Sequence, residues 1–367
     1  MKKVALIFLG NHLYDARCIN MINSVASKNH VISIYSAGNS SPFFSNNQKI
    51  NEYCIPFSST PCVKYLSWIL KVYSHLRMQS YDVVIAADLY SLIPSCLLSK
   101  KTSIVYDSRE IYTKLSIHFN RPLINWLIAT VEWFCMKRVN KIIVTAKSDQ
   151  RYLQKSYNTS AISFCRICNF PSSSLVLQKS SFLRDALNVP KNTTILLYQG
   201  VVQKNRGILQ LVKIIEKTHQ TVAVVLGNGP YCGLLKQYIK KKNLQNRVFM
   251  LSAVPYYKLL QVTSSADIGV SLVRPVGLSN LYALPNKLFE YALSGIPTLA
   301  SNLPNIKKYI DKYPLGWCVN DSDLSCQIEI IKNYQSRGFS LLSFSQSKAL
   351  FCWELQEADF LKFIFDE

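Results

Sequence analysis

No apolar run in this chain reaches the ~18–20 residues that a membrane-spanning helix requires. Residues 122–136 come nearest, and Asn125 and Glu132 interrupt them. Histidine is scarce: the five are His12, His30, His75, His118 and His219. No two have metal-ligand spacing, so no metal is expected, and a Ser–His–Asp arrangement has no anchor. Carboxylates are few, 21 Asp and Glu against 42 Lys and Arg, for a formal charge of +21. That excess implies an anionic partner, whether nucleic acid, an acidic membrane face or a phosphorylated substrate, without choosing among them. The eleven cysteines lack framework spacing, and Cys165 with Cys168 forms the only C-x-x-C. One such pair without a second is not a zinc or redox motif, and in an expected strand the two side chains diverge. Buried, reduced cysteines and a cytosolic location are therefore expected. Low-complexity tracts and short repeats are also missing.

The opening MKKVALIFLG has an apolar run of about seven residues, the short limit for a secretion signal, with no small-residue cleavage site after it. A first buried parallel strand is the better reading. With 49% hydrophobic and 17% charged residues the chain is globular, and 367 residues are too many for one ordinary core. Strand signals at residues 4–9, 31–35, 82–87, 103–106 and 141–145 alternate with helix signals at 15–28, after 87 to about 99, and 121–140. The segment Asn169-Phe-Pro-Ser-Ser-Ser breaks the pattern, and a polar stretch runs to Lys191. A second series follows, with strands at 195–198, 222–226, 247–251, 268–272, 298–300 and 315–319 and helices from about Arg206, after Gly229 and at 322–334. Apolar strands joined by helices predict parallel sheets covered on both faces. Two such halves predict a cleft between them that holds the ligand.

Residues 284–297, LPNKLFEYALSGIP, predict a short helix with Pro285 in its first turn and Gly295 at the left-handed C′ position. Asn286, Lys287, Glu290 and Ser294 share one side; Leu288, Phe289 and Ala292 share the other and should face a core. The free N–H groups of the first turn can hold an anion, with Lys287 beside them. Glu290, one turn on, can accept two hydrogen bonds from a vicinal diol. A nucleotide diphosphate would fit that arrangement. So would the plainer alternative, a solvated face carrying a Lys–Glu pair.

Gly200-Val-Val-Gln-Lys-Asn-Arg-Gly joins a strand to a helix, with Arg206 expected at the helix start. Such a loop can approach a pyrophosphate, and Arg206 can clamp it with two donors. It is not a Walker loop, since no G-K-[ST] ends it; an ordinary basic turn is the alternative. Gly227-Asn-Gly-Pro is a weak signal that a tight turn also explains. Asp15-Ala-Arg17 opens the first helix near Gly10 and Asn11, where an acidic residue is either a cap or a functional group. Asp107-Ser-Arg-Glu110 places three charges at the end of a buried strand, which is expensive unless they are paired or functional. Lys236, Lys240, Lys241 and Lys242 are read as a solvated face, although a nucleic-acid binder would also use them.

Taken together, in their order and spacing, these motifs resemble a family-4 glycosyltransferase of bacterial surface-polysaccharide synthesis. The resemblance rests on Asp15-Ala-Arg17, Tyr106-Asp-Ser-Arg-Glu110, Arg121-Pro122, Trp126, Glu132 and Asn169-Phe-Pro171 in the first half. In the second it rests on Gln199-Gly200, Arg206-Gly207, Gly227-Asn-Gly-Pro230, Ala266-Asp267 and residues 284–297, and then on Trp353-Glu354 in the last helix. It implies an α/β GT-B fold of two Rossmann-like domains: residues 1–172, joined by a returning C-terminal segment 340–367, and residues 173–339. It implies transfer of a sugar from a nucleotide-diphospho-sugar, with retention, to a lipid-linked or saccharide acceptor at the inner face of the cytoplasmic membrane. No metal or cofactor is implied beyond that co-substrate, and no nucleic-acid partner.

By the same resemblance Glu290 holds the ribose, while Arg206 and Lys287 neutralise the diphosphate, helped by the backbone N–H groups of Asn286 and Lys287, and Gly200 and Gly227 belong to the donor-binding set. Gly10 and Asn11 lie near the donor, Arg109 and Glu110 near the sugar or acceptor, and Asp15 and Arg17 on the acceptor side. Three departures stand out. Tyr282 replaces the first Glu of the family's E-x7-E pair, Val201 an Arg often found after the strand-end Gly, and Arg109 a His, so no general base is assigned. Asp321-Ser-Asp323 imitates the metal site of another glycosyltransferase class, but a helix N-cap is the simpler role. The alternatives are a sugar-nucleotide epimerase on the same fold and a basic nucleic-acid binder.

Overall fold

The computed structural model describes residues 1–38, 40, 43–57, 63–115, 120–175 and 179–366; Cys62 and His118 lie outside them. The chain divides into two compact units, Met1–Asn169 with Gln356–Glu367, and Phe170–Leu355.

The first unit is a seven-stranded sheet with helices on both faces. In chain order it contains β1 (Lys3–Phe8), α1 (Ala16–Ser27), β2 (Val31–Ser36), β3 (Ile50–Cys54), α2 (Lys64–Leu76), β4 (Val83–Ala86) and α3 (Leu89–Cys96). Then come β5 (Ser103–Ser108), α4 (Pro122–Met136), β6 (Lys141–Val144), α5 (Lys147–Ser156) and β7 (Ser163–Arg166). The strand order is β3-β2-β1-β4-β5-β6-β7, and every pair is parallel. The central strands are apolar on both sides because helices cover both faces. Trp68, Ile69, Val72 and Leu76 of α2 and Leu92 of α3 pack beneath them.

The second unit repeats the plan. It contains α6 (Phe182–Leu187), β8 (Thr194–Gln199), α7 (Ile208–Lys217), β9 (Thr221–Leu226), α8 (Cys232–Lys241), β10 (Val248–Leu251) and α9 (Tyr256–Thr263). These are followed by β11 (Ile268–Ser271), α10 (Leu278–Leu281), α11 (Asn286–Leu293), β12 (Thr298–Ser301), α12 (Pro304–Lys312), β13 (Gly316–Val319), α13 (Leu324–Arg337) and α14 (Phe344–Phe351). Its six strands are parallel in the order β10-β9-β8-β11-β12-β13. Counted from its own first strand this is 3-2-1-4-5-6, the Rossmann order. The order reverses between β8 and β11, as it does between β1 and β4 in the first unit. The loops leaving the carboxyl ends of those strands therefore diverge and leave a crevice.

The last helix, α15 (Glu357–Phe365), returns to the first unit as expected, but the return begins later. Residues 340–355 stay with the second unit, because Phe351 of α14 is buried against Phe289 and Tyr309. The domain boundary expected after residue 172 falls after Asn169, since Phe170 packs on Phe289 and Phe351. Trp353 and Glu354 precede the last helix. The Trp353 N–H donates to the Pro171 carbonyl at 2.9 Å, and Glu354 accepts from the Ser172 hydroxyl at 2.6 Å. Gln356 then makes the crossing, bonding both the N–H (2.9 Å) and the carbonyl (2.7 Å) of Cys168.

Candidate nucleotide-sugar site

The helix expected within residues 284–297 is α11, with Pro285 in extended backbone at its N-cap. Its end is a Schellman motif: Gly295 has φ +71°, and the Ile296 N–H reaches the Tyr291 carbonyl at 3.0 Å. Tyr291 fixes α11 to the sheet. Its hydroxyl donates to the Leu197 carbonyl at 3.0 Å, and its ring lies on Gly269 so closely that a Cβ there would meet it at 2.2 Å. This anchoring carries Glu290 to the carboxyl end of β8. Glu290 is 4% exposed and accepts from Gln199 Nε2 at 2.5 Å. The Gln199 Oε1 in turn accepts from the Thr263 hydroxyl at 2.8 Å, which sets the amide orientation. Ser294 is buried too, so the solvated-face alternative for this helix does not hold.

Lys287 projects from the first turn of α11 toward the loop after β8. Its Nζ lies 3.8 Å from the centroid of the Tyr198 ring and 3.8 Å from where a Cβ on Gly200 would stand. Burial, and then the nearby Arg206 guanidinium, pull the Lys287 ammonium down to about 7, against the attraction of Glu290. Arg206 stands two residues before α7 and not in its first turn, because Asn205 (φ +66°) and Gly207 (φ +76°) both take left-handed backbone. Among the described residues neither Arg206 nor Lys287 forms an ion pair. The first N–H used inside α11 is that of Leu288, to the Pro285 carbonyl at 3.1 Å; helix geometry leaves those of Asn286 and Lys287 pointing outward.

The floor of this crevice depends on two glycines. Gly227 has φ +153°, and a Cβ on it would sit 2.0 Å from the Gly200 carbonyl oxygen. The loops after β8 and β9 therefore run in direct backbone contact. Arg206, Lys287, Glu290, Asn286, Gly200 and Gly227 lie together here. Tyr282 stands at the end of α10, half-buried, with its carbonyl accepting from Asn305 Nδ2 at 2.5 Å. Asp321 pairs with Arg274 at 3.1 Å, and Asp323 caps α13 through the Cys326 N–H at 3.0 Å. Lys236, Lys240 and Lys241 are exposed, while Lys242 pairs with Glu216 at 2.8 Å. Among the described residues no group of three or more His, Cys, Asp or Glu gathers as a metal site.

In the first unit the expected residues line the carboxyl edge of the sheet, mostly as a charge network. Arg17 is buried and forks onto Asp107 (Nε 3.0 Å, Nη2 2.7 Å), with Nη1 on the Ile167 carbonyl at 2.6 Å. Arg109 links Asp107 (2.7 Å) to Asp15 (2.8 Å), which caps α1 through the Cys18 N–H at 2.8 Å. Burial alone would raise Asp15, but Arg109 beside it holds it below the usual carboxylate range. The guanidinium of Arg109 is thus committed to two carboxylates. Asn11 uses its side-chain oxygen to cap a short turn through the Leu13 N–H at 3.0 Å. Gly10 accepts from the Ala37 N–H at 3.1 Å, and Glu110 is exposed.

Sequence reasoning passed over Tyr198, Thr263 and Asp88, and used Gln199 as a motif residue without giving it a role. Asp88 caps α3 and receives the Leu9 N–H at 2.8 Å, closing the β1/β4 switch point, and burial raises its carboxyl. A polar residue ending a run of apolar strand positions was the signal available for Gln199 and Asp88.

Residues 179–334 match the family of group 1 glycosyl transferases. That segment holds every residue of the Arg206–Lys287–Glu290 cluster. Solved structures similar to the whole chain include sucrose-phosphate synthase from Thermosynechococcus elongatus, at 16% identity and TM-score 0.76, covering 99% of this chain and 98% of that one. Another is HepE from Anabaena in complex with UDP-glucose, at 15% identity and TM-score 0.73, covering 99% and 100%. A third is WaaG, a glycosyltransferase involved in lipopolysaccharide biosynthesis, at 13% identity and TM-score 0.67, covering 99% and 100%. At such identities the likeness is one of fold, two Rossmann-like domains of the GT-B type. No curated protein matches the sequence. The family match and the fold together support a group 1 glycosyltransferase.

Proposed function

We propose that the chain is a retaining, metal-independent glycosyltransferase of family 4 that moves a sugar from a nucleotide-diphospho-sugar to a lipid-linked or saccharide acceptor. The observation that carries this reading is a pair of cations without carboxylate partners, Arg206 and half-buried Lys287, facing a glycine-floored loop one helical turn from a buried carboxylate. Two half-buried cations outside any ion pair, with the single carboxylate Glu290 one turn away, leave positive charge in excess, and a bound diphosphate would balance it.

In this reading Glu290, held by Gln199, accepts both ribose hydroxyls. Arg206, Lys287 and the N–H groups of Asn286 and Lys287 take the diphosphate as it gains charge, the largest electrostatic contribution to expect. The bond from the anomeric carbon to the phosphate oxygen breaks while the acceptor oxygen attacks on the same face. The leaving phosphate oxygen takes the acceptor's proton. Tyr282 contacts the donor sugar and tunes which sugar is used. Gly10 and Asn11 lie near the donor and Glu110 near the acceptor, while Arg109, Asp15 and Arg17 position the acceptor-side loops. The biological setting is bacterial surface polysaccharide, capsule or lipopolysaccharide. The excess of positive charge holds the chain on an anionic inner membrane face.

Thermal shift against UDP-, GDP- and dTDP-sugars tests the donor, since ligand at ~100 times its dissociation constant adds about 2.7 kcal/mol. Glu290→Gln, close to isosteric, should weaken binding by about 10–100-fold through loss of charge-assisted hydrogen bonds. If no nucleotide sugar binds or is hydrolysed, and Glu290→Ala changes nothing, the reading fails. A product in which only the donor sugar is altered, with no acceptor glycosylated, would indicate an epimerase instead.

A further inference from the structure

In two helices of the first unit, α2 and α4, the outward side is reversed for a solvated surface. The crossovers from β3 to β4, β4 to β5 and β5 to β6 all step the same way across the sheet, so right-handed connection puts α2, α3 and α4 in one layer. α3 packs against both neighbours. In α4 the side turned inward includes a fully enclosed carboxylate. Glu132 is 1% exposed, and its oxygens are taken by the hydroxyls of Tyr106 (2.9 Å) and Tyr157 (2.6 Å). The side turned outward carries Leu123, Trp126, Leu127, Trp133 and Phe134, spaced to form one stripe; Leu123 is 81% and Trp126 66% exposed. Leu66 and Leu70 of α2 are exposed alongside.

Among the described residues the exposed charges on these helices and at their immediate ends have one sign. The exposed charged side chains on these three helices and at their ends include Lys71, Arg77, Arg121 and Lys137, all cations. The two carboxylates of the same segments, Asp88 and Glu132, are buried. Arg121 and Lys137 flank α4 at its two ends, and Lys137 Nζ lies 3.6 Å from the centroid of the Trp133 ring.

We propose that the outward sides of α2 and α4 seat the chain on an anionic bilayer, with α4, about 22 Å long, lying flat among the headgroups. Leucine and phenylalanine enter the acyl boundary, the two indoles sit at headgroup depth, and the flanking cations meet lipid phosphate. The same features argue against other occupants. A second copy would bring cations against cations. The apolar stripe offers nothing to a nucleic-acid backbone, which is bound chiefly through charge. This deepens the membrane contact proposed above by naming its surface, and it does not depend on sugar transfer.

The test uses the full chain and co-sedimentation with vesicles of phosphatidylcholine alone or with phosphatidylglycerol, read together with tryptophan fluorescence. The wild type should bind the anionic vesicles with a blue shift and bind the neutral ones weakly. The double variant Trp126→Ser, Leu127→Ser should lose at least about tenfold in vesicle affinity with its melting temperature unchanged. Arg121→Glu with Lys137→Glu, which removes no apolar contact, should lower anionic binding to a similar extent. Undiminished binding by both variants would overturn the proposal. So would a concentration-dependent dimer of the wild type that the Trp126→Ser, Leu127→Ser change dissolves. Vesicle binding is read without donor or acceptor, so its failure is separate from failure of the glycosyltransferase reading.

Discussion

Replacing Lys287 by Met should have opposite effects on folding and on ligand binding. Burial and Arg206 bring this ammonium from 10.5 to about 7 in the folded chain. Between those values the unfolded chain holds a proton that the folded chain has released, so stability rises with pH across that range. At neutral pH the shift costs the fold up to about 4 kcal/mol, of which the Tyr198 ring returns about 0.5–2 kcal/mol. Met fills similar space without the charge. The variant should therefore be more stable near pH 7 by about 2–4 kcal/mol and should lose the rise with pH. A diphosphate reverses the balance, because a bound anion restores the charge on Lys287. Wild-type affinity for UDP should fall about tenfold per pH unit above neutrality. Lys287→Met should bind about 1.5–3 kcal/mol more weakly, with a flat profile. Urea denaturation and titration calorimetry with UDP, from about pH 6 to about pH 9, measure both arms. A variant less stable than the wild type at neutral pH, or a wild-type affinity indifferent to pH, would refute the reasoning.

Gly227→Ala should place a methyl against the Gly200 carbonyl in backbone that side chains avoid. A loss of about 2 kcal/mol or more in stability, with weakened UDP binding, is expected from denaturation and calorimetry. Wild-type affinity in that variant would mean that the two loops need not touch. Arg17→Met should leave Asp107 buried with half its partners and destabilise the first unit by about 3–5 kcal/mol. Arg17→Lys should recover only part of this, because an ammonium cannot fork onto both oxygens. A change within ~0.5 kcal/mol for Arg17→Met would show that the network carries little.

Much of the architecture was legible because a parallel strand buried on both faces reads as an apolar run. The strands at β1, β8 and β9 fall within a residue or so of where the sequence puts them. Edge strand β3, INEYC, escaped notice because it mixes polar and apolar residues, and α2 escaped with it. The helix carrying Lys287 and Glu290 was legible from its punctuation, Pro285 before it and Gly295 after. The start of α7 was placed two residues early, since nothing in the sequence marks Asn205 as left-handed. Residues 340–355 were assigned to the wrong unit, because an apolar helix does not announce which core it fills; Phe351 chose the second. The role of Gln199 could not be read at all. A glutamine at a strand end looks like the start of a loop until Thr263 and Glu290 are seen on either side of its amide. The outward apolar stripe of α4 was equally hidden, since a helix apolar nearly all round reads as one to be buried.

The way Gln356 grips Cys168 bears on how the molecule can be taken apart. One carboxamide satisfies both backbone groups of a buried residue, and beyond it Lys2 reaches the Phe365 carbonyl at 2.7 Å and Lys141 reaches Asp366 at 2.6 Å. A fragment cut at Asn169 would lose all three ties along with the greasy side of α15, and should express as an insoluble or molten piece. Adding a peptide of residues 356–367 in trans ought to rescue it. The first half of this protein is, in effect, written in two places along its gene.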